Sequence, residues 1–116
     1  MNKKPSRGEV WFVKLDPTIG HEQAKTRPCL VISHDTFNHG PALLHIILPL
    51  TSKEKKHPFR VPVKWEQGDF QEKSFILCDQ MRTVSRQRFR GSNSIGTIDE
   101  DTLITVVDFL SILLDI

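Results

Sequence analysis

Three stretches of the chain hold polar side chains that could carry chemistry. The first is Gly20-His21-Glu22-Gln23-Ala24-Lys25-Thr26-Arg27-Pro28, which leads straight into the apolar run Cys29–Ile32. Arg27 sits where loop meets strand, so a rigid element fixes it. A guanidinium fork matches phosphate oxygens bidentately. The second stretch is Pro49-Leu50-Thr51-Ser52, at the end of the apolar run 43–50. Hydroxyls directly after a buried strand point into a cleft at a sheet edge. Sequential strands are usually neighbours, and in that case Arg27 and Thr51 converge. The third is Asp79-Gln80-Met81-Arg82-Thr83, followed by Arg86, Arg88 and Arg90 with Phe89 interleaved. Four arginines within nine residues suit phosphates and bases. Each stretch also has a plainer reading: a surface ion pair for Arg27, a turn or cap for Thr51-Ser52, a solvated face for the arginines.

Other chemistries lack their residues. His21, His34, His39, His45 and His57 form no i, i+4 pair on a convincing helix, and H-E-x-x-H is absent, so no metal site is expected. There is no G-x-S-x-G elbow and no G-x-x-x-x-G-K-[ST] loop. Cys29 and Cys78 lie 49 residues apart with no C-x-x-C, each in an apolar run. They are expected to be buried free thiols in a reducing cytoplasm. What is left is chemistry that Arg, Thr and Ser side chains perform with no cofactor.

The elements that must position these residues are mostly strands. Strands are expected over 8–16, 28–33, 43–50, 59–63 and 74–80 (extending through 81–84), with a last short one at 94–96. Helical turns are expected at 35–39 and 85–89, and a polar turn at 67–73. The connection 17–28 carries seven polar or charged residues, and a loop that long in a small domain is usually functional. Thr97-Ile98-Asp99-Glu100 fits a capping box. Leu103, Val106, Val107, Leu110, Leu113 and Leu114 then form one stripe of a C-terminal helix. Short strands, Gly/Pro connections and one helix predict a mainly β protein, a small curved barrel with a helix packed on it.

At 116 residues the chain is one domain, 1–116, with residues 1–6 as a flexible tail. Its 38% hydrophobic and 26% charged composition is that of a globular protein. The formal charge of +2 hides an asymmetry. Residues 1–96 hold all 16 basic side chains and 9 acidic ones, a net +7, while residues 97–116 hold five acids and no base. A basic body admits a polyanionic partner. No apolar run reaches membrane-spanning length, and no secretory signal is apparent. A cytoplasmic location without membrane contact is expected.

These motifs also occur in a telling order. Arg7-Gly8-Glu9-Val10-Trp11, Leu15-Asp16-Pro17, Gly20-x-Glu22-Gln23, Thr26-Arg27-Pro28, Val31-Ile32-Ser33, Pro49-Leu50-Thr51-Ser52 and Asp79-Gln80-Met81-Arg82-Thr83-Val84 follow one another as in the MazF/PemK family of bacterial toxins. The chain resembles that family from about Arg7 to its last helix. The resemblance implies an SH3-like barrel of the CcdB/PemK type and a homodimer. It implies a metal-independent, sequence-selective endoribonuclease that cuts single-stranded RNA, mostly mRNA, and a cognate antitoxin. It assigns the catalytic pair to Arg27 and Thr51. RNA contacts fall to Glu22, Gln23, Lys25, Ser52, Asp79, Gln80 and Arg82. His21 and Lys25 occupy variable loop positions, which leaves the recognised RNA sequence open.

RNA carries its own nucleophile, the 2′-OH. Attack on the adjacent phosphorus gives a 2′,3′-cyclic phosphate and a 5′-OH end. Arg27 would stabilise the phosphorane and Thr51 would donate to the same oxygen. Arginine is an awkward general base, with a pKa above ~12; His21 or His57 is easier by pKa. Two alternatives stand beside this reading: a gyrase-poisoning toxin of the same barrel fold, and a catalytically silent barrel that binds RNA or protein.

Overall fold

A computed structural model of the chain describes residues 3–17, 19–22, 25–55 and 57–116. The order is β1 (Glu9–Lys14), β2 (Thr26–Val31), α1 (Asp35–Asn38), β3 (Leu44–Thr51), β4 (Arg60–Pro62), β5 (Trp65–Gln67) and β6 (Phe75–Leu77). A 3-10 turn at Cys78–Gln80, β7 (Arg82–Ser85), a second 3-10 turn at Arg86–Arg88, β8 (Phe89–Arg90), β9 (Gly96–Ile98) and α2 (Glu100–Leu114) follow.

The strands among the described residues join one sheet, in the order β4-β6-β3-β2-β1-β9-β5. Two strands carry two partners along a single edge. β3 pairs with β7 through Leu44–Ile47 and with β6 through Leu50 and Thr51. β1 pairs with β9 at Glu9 and Val10, and with β8 at Phe12 and Val13. A strand that changes partner part-way makes a corner. Two such corners curl the antiparallel sheet into a half-barrel.

Both faces of the central strands are buried, because the half-barrel has a core on each side. Val10, Leu30, Leu48 and Leu50 join Val61, Ile76, Ile98, Val106 and Leu110 on the face that α2 covers. Trp11, Val13, Cys29, Val31 and Ile47 join Leu15, Val84 and Phe89 on the other. Neighbouring residues such as Leu30 and Val31 thus enter opposite cores, as strand alternation requires. This is why β1 reads as apolar on both sides in the sequence.

Several boundaries differ from the sequence reading. β2 starts at Thr26, not Pro28, so Arg27 lies within the strand. The expected strand 74–80 stops at Leu77, where the chain turns through Cys78–Gln80 before β7. The expected last strand at 94–96 lies at Gly96–Ile98, and β5 and β8 are additional. Thr97 is therefore a strand residue and does not cap α2. Asp99 does: its carboxylate accepts from Thr102 N at 2.9 Å and Thr102 Oγ1 at 2.5 Å. The helix buries Thr102, Val106 and Leu110, with Phe109 edge-on to Phe59. Leu113 and Leu114, expected within the buried stripe, are exposed. Hydrogen bonds run from the N-terminal residues to the body. Lys3 Nζ donates to the Phe89 carbonyl, and Ser6 Oγ lies 2.9 Å from His39 Nε2.

Candidate active site

The β2–β3 register sets the centre of the site. Cys29 lies opposite Pro49, Leu30 opposite Leu48 and Val31 opposite Ile47. Carrying that register two residues further places Arg27 across from Thr51. Arg27 also pairs with Val13 of β1, and Thr51 with Phe75 of β6. Side chains two apart share a face, so Arg27 and Thr51 project on the face of Cys29 and Pro49. Thr51 is buried at 7% exposure, and its Oγ1 accepts from Lys53 N at 3.2 Å. That bond leaves the hydroxyl proton to be donated. Arg27 is half-buried.

A cleft of about 410 Å³ opens on this face, with Pro49 in its lining. The long loop contributes His21 and Glu22; the 3-10 turn and the start of β7 contribute Asp79, Gln80, Met81 and Arg82. Glu22 braces its own loop, with Oε1 accepting from Ile19 N at 3.1 Å. Arg82 crosses the face to donate to the Leu15 carbonyl at 2.9 Å. Asp79 pairs with His57 at 3.7 Å, both half-exposed. Lys25 lies at the foot of the loop with φ +66°, its N–H bonded to Asp16 Oδ1 at 2.9 Å. Ser52 is exposed just beyond β3. Gln23 lies outside the described residues.

The structure therefore brings Glu22, Asp79, Gln80 and Arg82 to one cleft and sets Arg27 and Thr51 on the sheet beside it. Lys25 and Ser52 are not among its lining residues. Pro49 and Met81 are lining residues that the sequence reading did not single out. Met81 had a signal: an apolar side chain within a polar run, here 39% exposed. The notion of Phe89 as an aromatic among nucleic-acid-binding arginines is corrected. Phe89 is fully buried, edge-on to Trp11 at 5.7 Å and to His45 at 5.0 Å.

Both cysteines are buried free thiols. Burial pushes the Cys29 thiol up to about 12, although the charges of Arg82 and Arg27 pull it down. Burial, helped by the Asp79 charge, pushes Cys78 up to about 12 as well. Among the described residues no three His, Cys, Asp or Glu side chains gather as a metal-ligand set. No helix among them is long and apolar enough to cross a membrane.

A second polar cluster supports the barrel from behind. His45 is fully buried, its Nδ1 3.1 Å from Asn38 Oδ1 and its Nε2 3.3 Å from Arg86 Nε. Arginine only donates, so Nε2 accepts and the proton sits on Nδ1. Asn38 in turn donates to the Ser33 carbonyl at 2.7 Å. Burial, then the charges of Arg86 and His39, lower the His45 pKa to about 4.

A curled β half-barrel with an arginine, a buried hydroxyl and a polar cleft on one face defines the class of molecule. Residues 6–114 match the family model described as PemK-like, MazF-like toxin of type II toxin-antitoxin system. The chain belongs to this PemK/MazF toxin family. It is 33% identical over 109 residues to the endoribonuclease PemK of Escherichia coli, covering 93% of this chain and 80% of that protein. The crystal structure of MazF from Deinococcus radiodurans superposes with a TM-score of 0.85 at 27% identity, covering 99% of this chain and all of that one. A MazE-MazF crystal structure from the same organism superposes at 0.75 with 25% identity, covering 99% and 100% of the respective chains.

Proposed function

We propose that the chain is an endoribonuclease toxin that cuts single-stranded RNA, mRNA above all, at the cleft beside Arg27 and Thr51. The observation that supports this best is the β2–β3 register, which, carried two residues past Cys29–Pro49, sets a half-buried guanidinium opposite a buried hydroxyl on one face. A phosphodiester at this position brings its own nucleophile. The 2′-oxygen bonds to phosphorus, the P–O5′ bond breaks, and the products are a 2′,3′-cyclic phosphate and a 5′-OH. One proton leaves the 2′-OH and one reaches the departing 5′-oxygen. Arg27 holds the non-bridging oxygens as their charge rises, and Thr51 donates its proton to the same oxygens. A guanidinium does not deprotonate in proteins, so proton transfer falls to another group. His21, which lines the cleft, is one candidate, and His57, paired with Asp79 at 3.7 Å, is the other.

Glu22, Asp79, Gln80 and Met81 line the same cleft and are placed to read bases. Single-stranded RNA exposes base edges for such contacts. The family description and the MazE-MazF relative support a cognate antitoxin as partner. A homodimer is supported by the apolar end of α2, where Ile112, Leu113 and Leu114 stand exposed. Sedimentation at micromolar concentration is expected to show a dimer, and a monomer there contradicts it.

The test is cleavage of a long single-stranded RNA with end-group analysis. Arg27→Ala should lose about two to three orders of magnitude in rate, the scale of one lost oxyanion donor. Replacing the ribose at the cut by deoxyribose should leave the strand intact. Near-normal cleavage by a folded Arg27→Ala protein removes Arg27 from the mechanism. Cleavage of the deoxy-substituted strand removes 2′-OH attack.

A further inference from the structure

A second cleft, of about 490 Å³, includes Lys14, Asp16, Gln87, Arg88 and Arg90 in its lining. Its cations lack acidic partners. Among the described residues no carboxylate lies within ion-pair distance of Lys14, Arg88, Arg90 or the nearby Lys3. Asp16 does line the cleft, but its Oδ1 is taken by the Lys25 N–H at 2.9 Å. Lys3 Nζ donates to the Phe89 carbonyl, which adds a fourth positive charge at the rim.

The two arginines are held in a manner that leaves a donor edge in place. Arg88 uses Nη1 for the carbonyls of Lys14, at 3.1 Å, and Asp16. Arg90 uses Nη1 for the carbonyls of Gln87, at 2.7 Å, and Phe89, at 3.3 Å. Each guanidinium is thus oriented by one nitrogen, while its Nε and Nη2 protons have no hydrogen-bond acceptor among the described residues. That edge fits two phosphate oxygens. No aromatic side chain lines this cleft, and Pro17 is its one apolar lining residue, so nothing in it stacks a base. Its chemistry suits a backbone phosphate and carries little sequence information.

The two clefts are linked through the Leu15–Asp16 backbone. Arg82, in the first cleft, donates to the Leu15 carbonyl, and Arg88, in the second, donates to the Asp16 carbonyl. We propose that the Lys14–Arg88–Arg90 cleft is an accessory phosphate subsite that holds the RNA backbone flanking the cut. The proposal rests on the endoribonuclease reading above. One cleft selects and cuts, and the other grips phosphate without regard to sequence. RNA that extends past the cut site gains affinity there, while an oligonucleotide that fills only the first cleft does not.

The test uses a mixed-sequence single strand of about 20 nucleotides, fully 2′-O-methylated so that no position is cut, and reads its Kd against salt concentration. Removing one cation that neutralises a phosphate of a single strand lowers the log–log slope by ~0.7. Lys14→Gln/Arg90→Gln should therefore be shallower than wild type by about 1.4, and either single change by half of that. Both side chains are exposed, so the fold is expected to survive, and an unchanged melting curve checks it. Lys64→Gln, a cation that lines neither cleft, should leave the slope as it is. Cleavage of a minimal oligonucleotide should be unchanged in the double variant. An unchanged slope in the Lys14 and Arg90 variants overturns the subsite. An equal change from Lys64→Gln also overturns it, by showing a general charge effect. Wild-type protein that neither binds nor cuts RNA overturns the endoribonuclease reading and the subsite together.

Discussion

Lowering the pH from 7.5 to 5 should destabilise the protein through one side chain, His45. Its ring is fully buried, with Nδ1–H bonded to Asn38 Oδ1 and Nε2 accepting from Arg86. Protonation would turn that acceptor into a donor facing a guanidinium. Burial and the charges of Arg86 and His39 thus hold the folded-state pKa at about 4, below the ordinary 6.5. The unfolded chain binds the proton first, so stability is complete above about pH 6.5 and falls as pH drops toward 4. Between pH 7.5 and 5 the loss is about 2 kcal/mol, and complete protonation of both states brings it to about 3 kcal/mol. Urea titration followed by tryptophan fluorescence reads this, since Trp11 is 3% exposed in the folded protein. His45→Asn should be less stable at pH 7.5 but should lose most of the slope between pH 7.5 and 5. A flat wild-type profile across that range, or a full slope retained in His45→Asn, refutes the assignment.

Further predictions test the site and its supports. Thr51→Val should lower cleavage by at least about tenfold with little change in melting temperature, because a hydroxyl donor is removed while shape is kept. Cleavage should be unaffected by excess chelator, and abolition by chelator would argue for a metal in the reaction. Gly68→Ala should destabilise by about 2 kcal/mol or more: Gly68 has φ +108°, and an added Cβ meets Gly96 Cα at 2.3 Å and the Ile95 carbonyl at 2.6 Å. Asp99→Ala should cost about 1 kcal/mol in urea titration through loss of the α2 cap, whereas Thr97→Ala should do nothing to the cap.

The pairing of β2 with β3 is legible in the sequence because it depends on local order. Arg27 and Thr51 lie on consecutive strands that pair directly, and alternation sets both on one face of the sheet. The half-barrel class and α2 are legible for the same reason. What escapes depends on distant partners. Trp65–Gln67 looks like polar loop, and becomes β5 only by pairing with β9, some 30 residues on. Residues 74–80 read as one strand, yet it breaks at Cys78, whose N–H donates to the Phe59 carbonyl at 3.1 Å. The arginine run reads either as a set of phosphate and base contacts or as a solvated basic face. Its members in fact reach backbone carbonyls far away in the sequence, Arg82 to Leu15 and Arg86 to Asn38. No periodicity reveals such bonds.

The two feet of the long loop have a consequence for how this family diversifies. Leu15 N–H donates to the Lys25 carbonyl at 2.8 Å, and Lys25 N–H to Asp16 Oδ1, so the excursion closes on itself before it reaches the cleft. Arg82 and Arg88 clamp the same feet from outside. Once a loop is closed at its base, lengthening it raises the closure entropy only slowly. Residues between the feet can be replaced, inserted or deleted while the sheet, Arg27 and Thr51 stay where they are. The cleft wall that carries His21 and Glu22 can then change its shape and charge without disturbing the barrel that holds it.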